Sequence, residues 1–505
     1  MSVSLVVCGL VIYVLASFAV AYISRSGESA SMSEYFIGGR SMGGVLSALS
    51  YSATTYSAFM MIGLAGLTFK GGVGALGFEI VYFAGVSLVA IFGPRFWAVG
   101  KKYGFVTPYE MLGTRYGSRW VAVAAGLVSL VFLIPYSAVQ LSGVGYLLSG
   151  MTGGGIPFLW GVVISTVLAI IFSYVAGIRS VVWTDSLQAL MMIIASVLVC
   201  GLVLIELGGF SGLFSAIKAT KPELLQVPGP GIFSFTTFLG LTIPWFFFAI
   251  SNPQVSQRLY MPASLKALRR MLVIFLCFGF VYTVVSVLWG FSAFVAFPQL
   301  EKGDLATSTL LASNFVPPVL GVMVMVGILA AAVSTIDSIL LTLSSVFARD
   351  VWSNVTGGAS DERQLFIGKL IIPVISIVSL VFAAMEFSMI AILSVAASVG
   401  LLVTVPAIIG AFFWRRGTAA GALVSILGGV AFVVWMYLTG NKLFGLNAGV
   451  LALPVSAFLF IAVSLVTKSN MKAADEFVEV SVSYKKGKLP NAMPALAEEP
   501  VRVNT

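Results

Sequence analysis

The chain has 505 residues, 59% of them hydrophobic and only 9% charged, with 28 Lys and Arg against 19 Asp and Glu. That composition excludes an ordinary soluble domain and points to membrane helices. Histidine is absent, which removes the commonest general base, metal ligand and near-neutral proton switch and argues against a membrane-embedded hydrolase or metalloenzyme.

In chain order, windows of about 20 apolar residues predict about thirteen spans: 3–23, 43–68, 76–98, 121–149, 156–178, 184–206, 233–255, 271–297, 315–347, 367–385, 388–413, 419–438 and 448–467. Span 1 lacks a basic leader and is long for a cleaved signal, so it is expected to stay. Span 2 contains SALSYSATTYSAFMMIGLAG, dense in small and hydroxyl residues. The inner loop 99–120 reads as a short helix pair, and the outer loop 207–232 is rich in Gly and Pro. Span 7 contains LTIPWFFFAISNPQ, with Pro244 and Pro253 inside it. Proline removes a backbone donor, and freed carbonyls at that depth must face protein or line a cavity. An interrupted span opening each of two five-helix halves, spans 2–6 and 7–11, fits an inverted-repeat transporter; ordinary proline kinks are the plainer alternative.

Span 9 holds GILAAAVSTIDSILLTLSSVFARD. Ser334, Asp337 and Ser338 share one face, with Thr335 beside it. Oxygen ligands without nitrogen or sulfur suit a hard cation, and the sparse charge favours a monovalent one. Hydroxyls bonding back to their own helix would be the bland account. An acid at membrane depth has no such outlet. The tail, 468–505, is polar and expected to be disordered and cytoplasmic. With the N-terminus outside, every arginine and most lysines fall on the inner side, among them Arg25, Arg95, Arg258, Arg349 and Arg415. Net charge of +9 is therefore a topology signal, not a sign of nucleic acid. Cys8, Cys200 and Cys277 lie in apolar segments and form no metal or disulfide pattern.

Six motifs in order resemble the sodium:solute symporter family over about 34–416. They are SEYFIGGRSMGG, GLAG, VTPYEMLGTRYG, GIRSVVWTDSLQ, SNPQVSQRLYMP and AAAVSTIDSILLTLSSVFARDVW. The resemblance implies an all-α membrane protein with a leucine-transporter-like 5+5 core, one helix before it and two after. The membrane domain would be 1–467, with its core at about 43–413. It also implies sodium held by carbonyls of Ala53, Tyr56 and Ala331 and hydroxyls of Ser334 and Thr335. Asp185 would lie on the sodium exit path, or help form a second sodium site with Ser338; its plainer reading is a helix N-cap. Asp337 stands where two-sodium members carry serine, and could instead pair with an inner Arg or Lys. For the solute, Trp245, Pro253 and Tyr136 match lining positions of the proline branch, whose tyrosine is Ala249 here. Glu79 matches a sugar-binding acid of the sugar branch. Gln140, one turn from Tyr136, could orient a ligand or bond between helices.

The expected function is sodium-coupled import of a small organic solute, such as an amino acid like proline or a carboxylate vitamin. A proton-coupled transporter on the same fold and a sodium-coupled sugar transporter are the alternatives. The expected setting is the plasma membrane, with the lipid bilayer and the solute as partners, no nucleic acid, and a monomer as the working unit.

Overall fold

The computed structural model describes residues 1–24, 31–387 and 389–486. Arg25 and the tail from 487 lie outside the described residues. Every long element is a helix, and no strand forms among the described residues. All thirteen predicted segments fall on helices. Ten helices are long and apolar enough to cross a membrane. A bent pair forms the eleventh span, and two shorter apolar helices, Phe59–Gly71 and Phe158–Tyr174, account for spans 2 and 5.

The first half begins with α1 (Val3–Ser24), followed by α2 (Gly44–Thr55) and α3 (Phe59–Gly71), which together make the broken second span. Then come α4 (Gly74–Tyr103), α5 (Arg119–Met151) and α6 (Phe158–Glu206). The second half holds α7 (Phe235–Ser251), α8 (Leu265–Ala296), α9 (Pro318–Ser345), α10 (Asp361–Ala383) and the bent pair α11 (Ile390–Leu402) and α12 (Val405–Phe413). Two further spans, α13 (Ala419–Thr439) and α14 (Ala448–Val466), close the membrane region.

Spans 5 and 6 differ from expectation. Helical hydrogen bonding runs unbroken through all 49 residues of α6. A straight helix of that length would be roughly 74 Å long, against about 30 Å of hydrocarbon. Both predicted spans within it reach α9: Ser173 bonds to Asp337, while Asp185, twelve residues on, lies beside Ser334, one helical turn from Asp337. No proline or cap separates the two spans, which is why DSLQ does not start a new helix.

The tail also departs from expectation. Its first part is ordered as α15 (Met471–Val482), whose Phe477 stacks on Tyr103 of α4 at 6.0 Å and packs on Phe412 of α12. The buried face of this amphipathic helix, Ala474, Phe477 and Ser481, found a partner on the membrane domain. The loop 99–120 yields one short helix, Pro108–Tyr116, because α4 itself extends to Tyr103. The outer loop 207–232 contains a helix, Gly209–Thr220.

α2 and α3 pack with α4, α7 and α8 as one bundle, and α5, α6, α9 and α10 pack together against it. Close approach within the bundle depends on Gly279 of α8. A Cβ there would fall 1.9 Å from the Tyr56 hydroxyl, so only glycine lets that ring lie in the groove.

Candidate ion and solute site

The site is built around two helix breaks. The first follows Thr55. Tyr56 leaves helical geometry at φ −92° and ψ 68°, and the Phe59 amide bonds to the Ser57 hydroxyl at 3.2 Å. A run of short hydroxyl side chains offers the backbone such local alternatives to the helix ladder. π-helical turns then carry Phe59–Leu64 onward. The second break is dictated by proline. Pro253 lacks an N–H, and the residue before a proline avoids helical geometry. Asn252 accordingly sits at φ −81° and ψ 116°, and its side chain caps the Gln254 amide at 3.0 Å.

Breaking α2 frees carbonyls, and α9 meets them. The Thr335 hydroxyl lies 3.2 Å from the Ala53 carbonyl, 3.3 Å from that of Thr54 and 2.9 Å from that of Ala331. Three carbonyls and one hydroxyl thus converge at a buried point, an arrangement suited to a small hard cation. Ala53, Ala331 and Thr335 are brought together; Tyr56 supplies the break itself. Ser334 is buried beside Asp185, with no hydrogen bond to its hydroxyl among the described residues. Thr54 had been passed over, yet its carbonyl takes both Thr335 and the Gln254 amide, the latter at 3.2 Å.

Below this point lies a charged knot. Asp185 is inside α6, not at a helix start. Its carboxylate accepts the Ser50 hydroxyl at 2.6 Å and pairs with Arg258 at 3.5 Å. Arg258 also donates to Ser50 at 2.5 Å and to the Ser338 hydroxyl, while Ser338 bonds to Thr54 at 2.9 Å. Asp337 turns the other way and accepts from Ser173 at 3.0 Å. The basic partner considered for Asp337 is thus found on Asp185. Arg258 was missed as a site residue; its signal was a lone arginine in SQRLYM, one short turn after the Pro253 break.

Between α4 and α7 the site becomes aromatic. The Trp245 indole N–H donates to Glu79 at 3.1 Å, joining α7 to α4. Rings of Phe59, Phe78, Tyr82 and Phe248 surround Trp245 at 4.7–5.7 Å. Tyr136 of α5 packs on Phe248 at 5.8 Å. Gln140 is fully buried, and neither of its amide atoms has a partner among the described residues. Pro253 is buried at the start of the short helix Pro253–Ser256 and serves the break.

Two halves each opened by a broken helix, with convergent oxygens at one break and a polar aromatic chamber near both, define a secondary transporter of the inverted-repeat kind. The family model described as the sodium:solute symporter family matches residues 35–429, and the chain belongs to that family. It is a sodium-coupled symporter for a small solute, not an enzyme. It is 28% identical to the high-affinity proline transporter PutP of Bacillus subtilis (strain 168), over 89% of this chain and 96% of the relative. It is 29% identical to the sodium/pantothenate symporter of Escherichia coli (strain K12), over 85% and 90%. Its fold matches the solved outward-open structure of a Na+-coupled sialic acid symporter with TM-score 0.78, at 22% identity over 92% of this chain and 98% of that one. The many apolar helices and the family make it a multi-pass membrane protein.

Proposed function

We propose that sodium binds where α2 breaks against α9, held by the carbonyls of Ala53, Tyr56 and Ala331 and the hydroxyls of Ser334 and Thr335. The single observation that carries this is the convergence of three carbonyls on Thr335, all within 3.3 Å. Two of them, Ala53 and Thr54, are freed by the break, and a freed carbonyl costs several kcal/mol in hydrocarbon unless something receives it. Sodium joining α2 to α9 ties the moving bundle to its surroundings and favours one arrangement of the two. Solute then binds between the breaks, among Trp245, Tyr136, Gln140 and Glu79. Each ligand favours a state the other also favours, which is what coupling requires.

Arg258 occupies the oxygens of Asp185, Ser50 and Ser338, so a tethered cation stands where a second sodium would need those ligands. One sodium per cycle follows. Asp185 then acts on the release path by exchanging between Arg258 and the departing ion. Asp337, held by Ser173, fixes the α6–α9 contact. The N-terminus faces outside and α15 faces the cytoplasm at the plasma membrane, as the arginine asymmetry requires, and a single chain suffices for transport.

The test is uptake of labelled solutes by proteoliposomes with an inward sodium gradient, with potassium replacing sodium at the same pH, and with a proton gradient alone. Uptake should need sodium and should saturate with a Hill slope near one. Uptake driven equally by protons would overturn the sodium site. A slope near two would overturn the role given to Arg258.

A further inference from the structure

Glu79 raises a question of charge that the sodium site does not answer. It sits in α4 with only 1% of its surface exposed. One hydrogen bond reaches it among the described residues, from the neutral Trp245 indole. No lysine or arginine is among the charged groups that act on it. The site's arginine is committed to Asp185, and the sodium oxygens belong to α2 and α9. A carboxyl buried with one neutral partner is costly as the anion, and that cost is met by a proton or by a cation that comes to it.

The walls say what could offset that cost. Trp245 stands face to face with Phe78, their rings 5.3 Å apart, and close to Tyr82 at 5.7 Å. Tyr56, Tyr82 and Tyr136 all lie within electrostatic range of Glu79. The hydroxyls of Tyr56 and Tyr82 and both amide atoms of Gln140 are buried with no partner among the described residues. A neutral hydroxyl solute would satisfy the lone pairs and bring Glu79 no counter-charge. A carboxylate would meet both the acid and the negative faces of the rings. A cation gains from the carboxylate and from each ring face.

We infer that the transported solute carries a cationic nitrogen, which Glu79 receives inside the ring box of Trp245, Tyr82 and Tyr136. The inference rests on the symport reading, because it takes this chamber to be the solute site. It places the carboxylate end of an amino-acid-like solute away from Glu79, toward Gln140 and the sodium. It also separates this acid from a sugar-binding role, since a sugar brings no charge.

The experiment uses solute-stimulated influx of radiolabelled sodium into proteoliposomes holding the full chain. The probes are sets matched in shape and differing in charge: choline, 3,3-dimethylbutan-1-ol and 3,3-dimethylbutanoate; pyrrolidine, cyclopentanol and cyclopentanecarboxylate; and the twenty amino acids with their N-acetyl forms, which lack the charged nitrogen. Stimulation should be confined to members with a cationic nitrogen. Glu79→Gln should weaken those members at least tenfold while leaving sodium half-saturation within twofold. A neutral or anionic member that stimulates as well as its cationic partner overturns the inference, and so does a panel in which no cationic member stimulates. If Glu79→Gln is poorly folded, Trp245→Phe decides. It removes the indole bond and keeps the ring, so selection for charge should persist. Loss of selection in Trp245→Phe would make Glu79 a structural partner of the indole and overturn the inference. Solute uptake that proceeds equally in potassium would instead overturn the symport reading and leave the charge preference measurable.

Discussion

The two breaks solve the same problem in opposite ways. At the second, in α7, the chain repairs itself: Asn252 caps the Gln254 amide and the Ser256 hydroxyl returns to the Asn252 carbonyl at 3.0 Å. At the first, after α2, repair comes from another helix, through Thr335. A self-repaired break is a fixed bend. A break repaired from across an interface is open to replacement by a ligand, because whatever displaces the Thr335 hydroxyl must offer those carbonyls a positive partner. Gln254 and Arg258, both just past the second break, reach Thr54 and Ser50 on the first. The fixed bend thus serves as the anchor for the adaptable one.

The strongest way to break this comparison is at the anchor. Arg258→Met leaves Asp185 buried and unpaired, and Asp185→Asn leaves the arginine so. Losing one member of a buried pair costs about 3–5 kcal/mol, so each single variant should show a large loss of folded protein by detergent-solubilised thermal melts. The double variant should recover most of it. Single variants as stable as the parent would show that Arg258 does not tie the breaks together.

Next in size is the adaptable break. Thr335→Ala removes a hydroxyl that both satisfies carbonyls and would hold sodium. Loss of one such bond is worth about 1–2 kcal/mol, so half-saturation by sodium should rise roughly tenfold, with maximal uptake much less affected. Asn252→Ala probes the fixed break and should do the reverse. It removes a cap worth about 1 kcal/mol, lowering the melting temperature by on the order of a degree with sodium half-saturation unchanged. Equal sodium effects in both variants would erase the distinction.

Legibility in the sequence follows the same division. The proline break was visible at Pro253, since proline acts through its own chemistry whatever surrounds it. The spans were visible because hydropathy is local. Thr335 was visible as a hydroxyl out of place in hydrocarbon, and Ala53 only through resemblance, because a carbonyl leaves no mark in the residue type. Arg258 was visible only as a lone arginine past the Pro253 break, and its partner was not. Its meaning depends on Asp185, 73 positions away, and no spacing rule connects a loop arginine to the middle of another helix. The continuity of α6 was misjudged because a loop was expected to interrupt helical hydrogen bonding there. α15 was missed because the tail's charge outweighed its apolar stripe until α4 and α12 supplied a surface for it.

The smallest effect lies where the loop after α8 reaches the start of α11. Met389 precedes α11 with φ 57° and offers no side-chain cap. Asp304 takes that role from far along the chain, accepting the Met389 amide at 2.6 Å, with the Ile390 amide also bonded to it. The same loop lies on the outer half of the broken span, since a Cβ on Gly66 would come 2.8 Å from Gly303. Burial pushes the Asp304 carboxyl up to about 6 from an ordinary value of 3.8, against the pull of the two amides and Lys302. A folded value above the unfolded one means the protonated acid favours the fold. Its contribution is complete below about pH 4 and is lost as pH rises through about 6. Melting temperature measured from pH 4 to 8 should therefore contain a component that falls on the way to neutrality, on the order of a degree for a chain this large. In Asp304→Asn, which cannot ionise, that component should be absent and sodium half-saturation should match the parent. A variant with the parent's pH profile would show that the contact does not feel the charge. A shifted sodium affinity would show that the outer cap and the first break act as one unit.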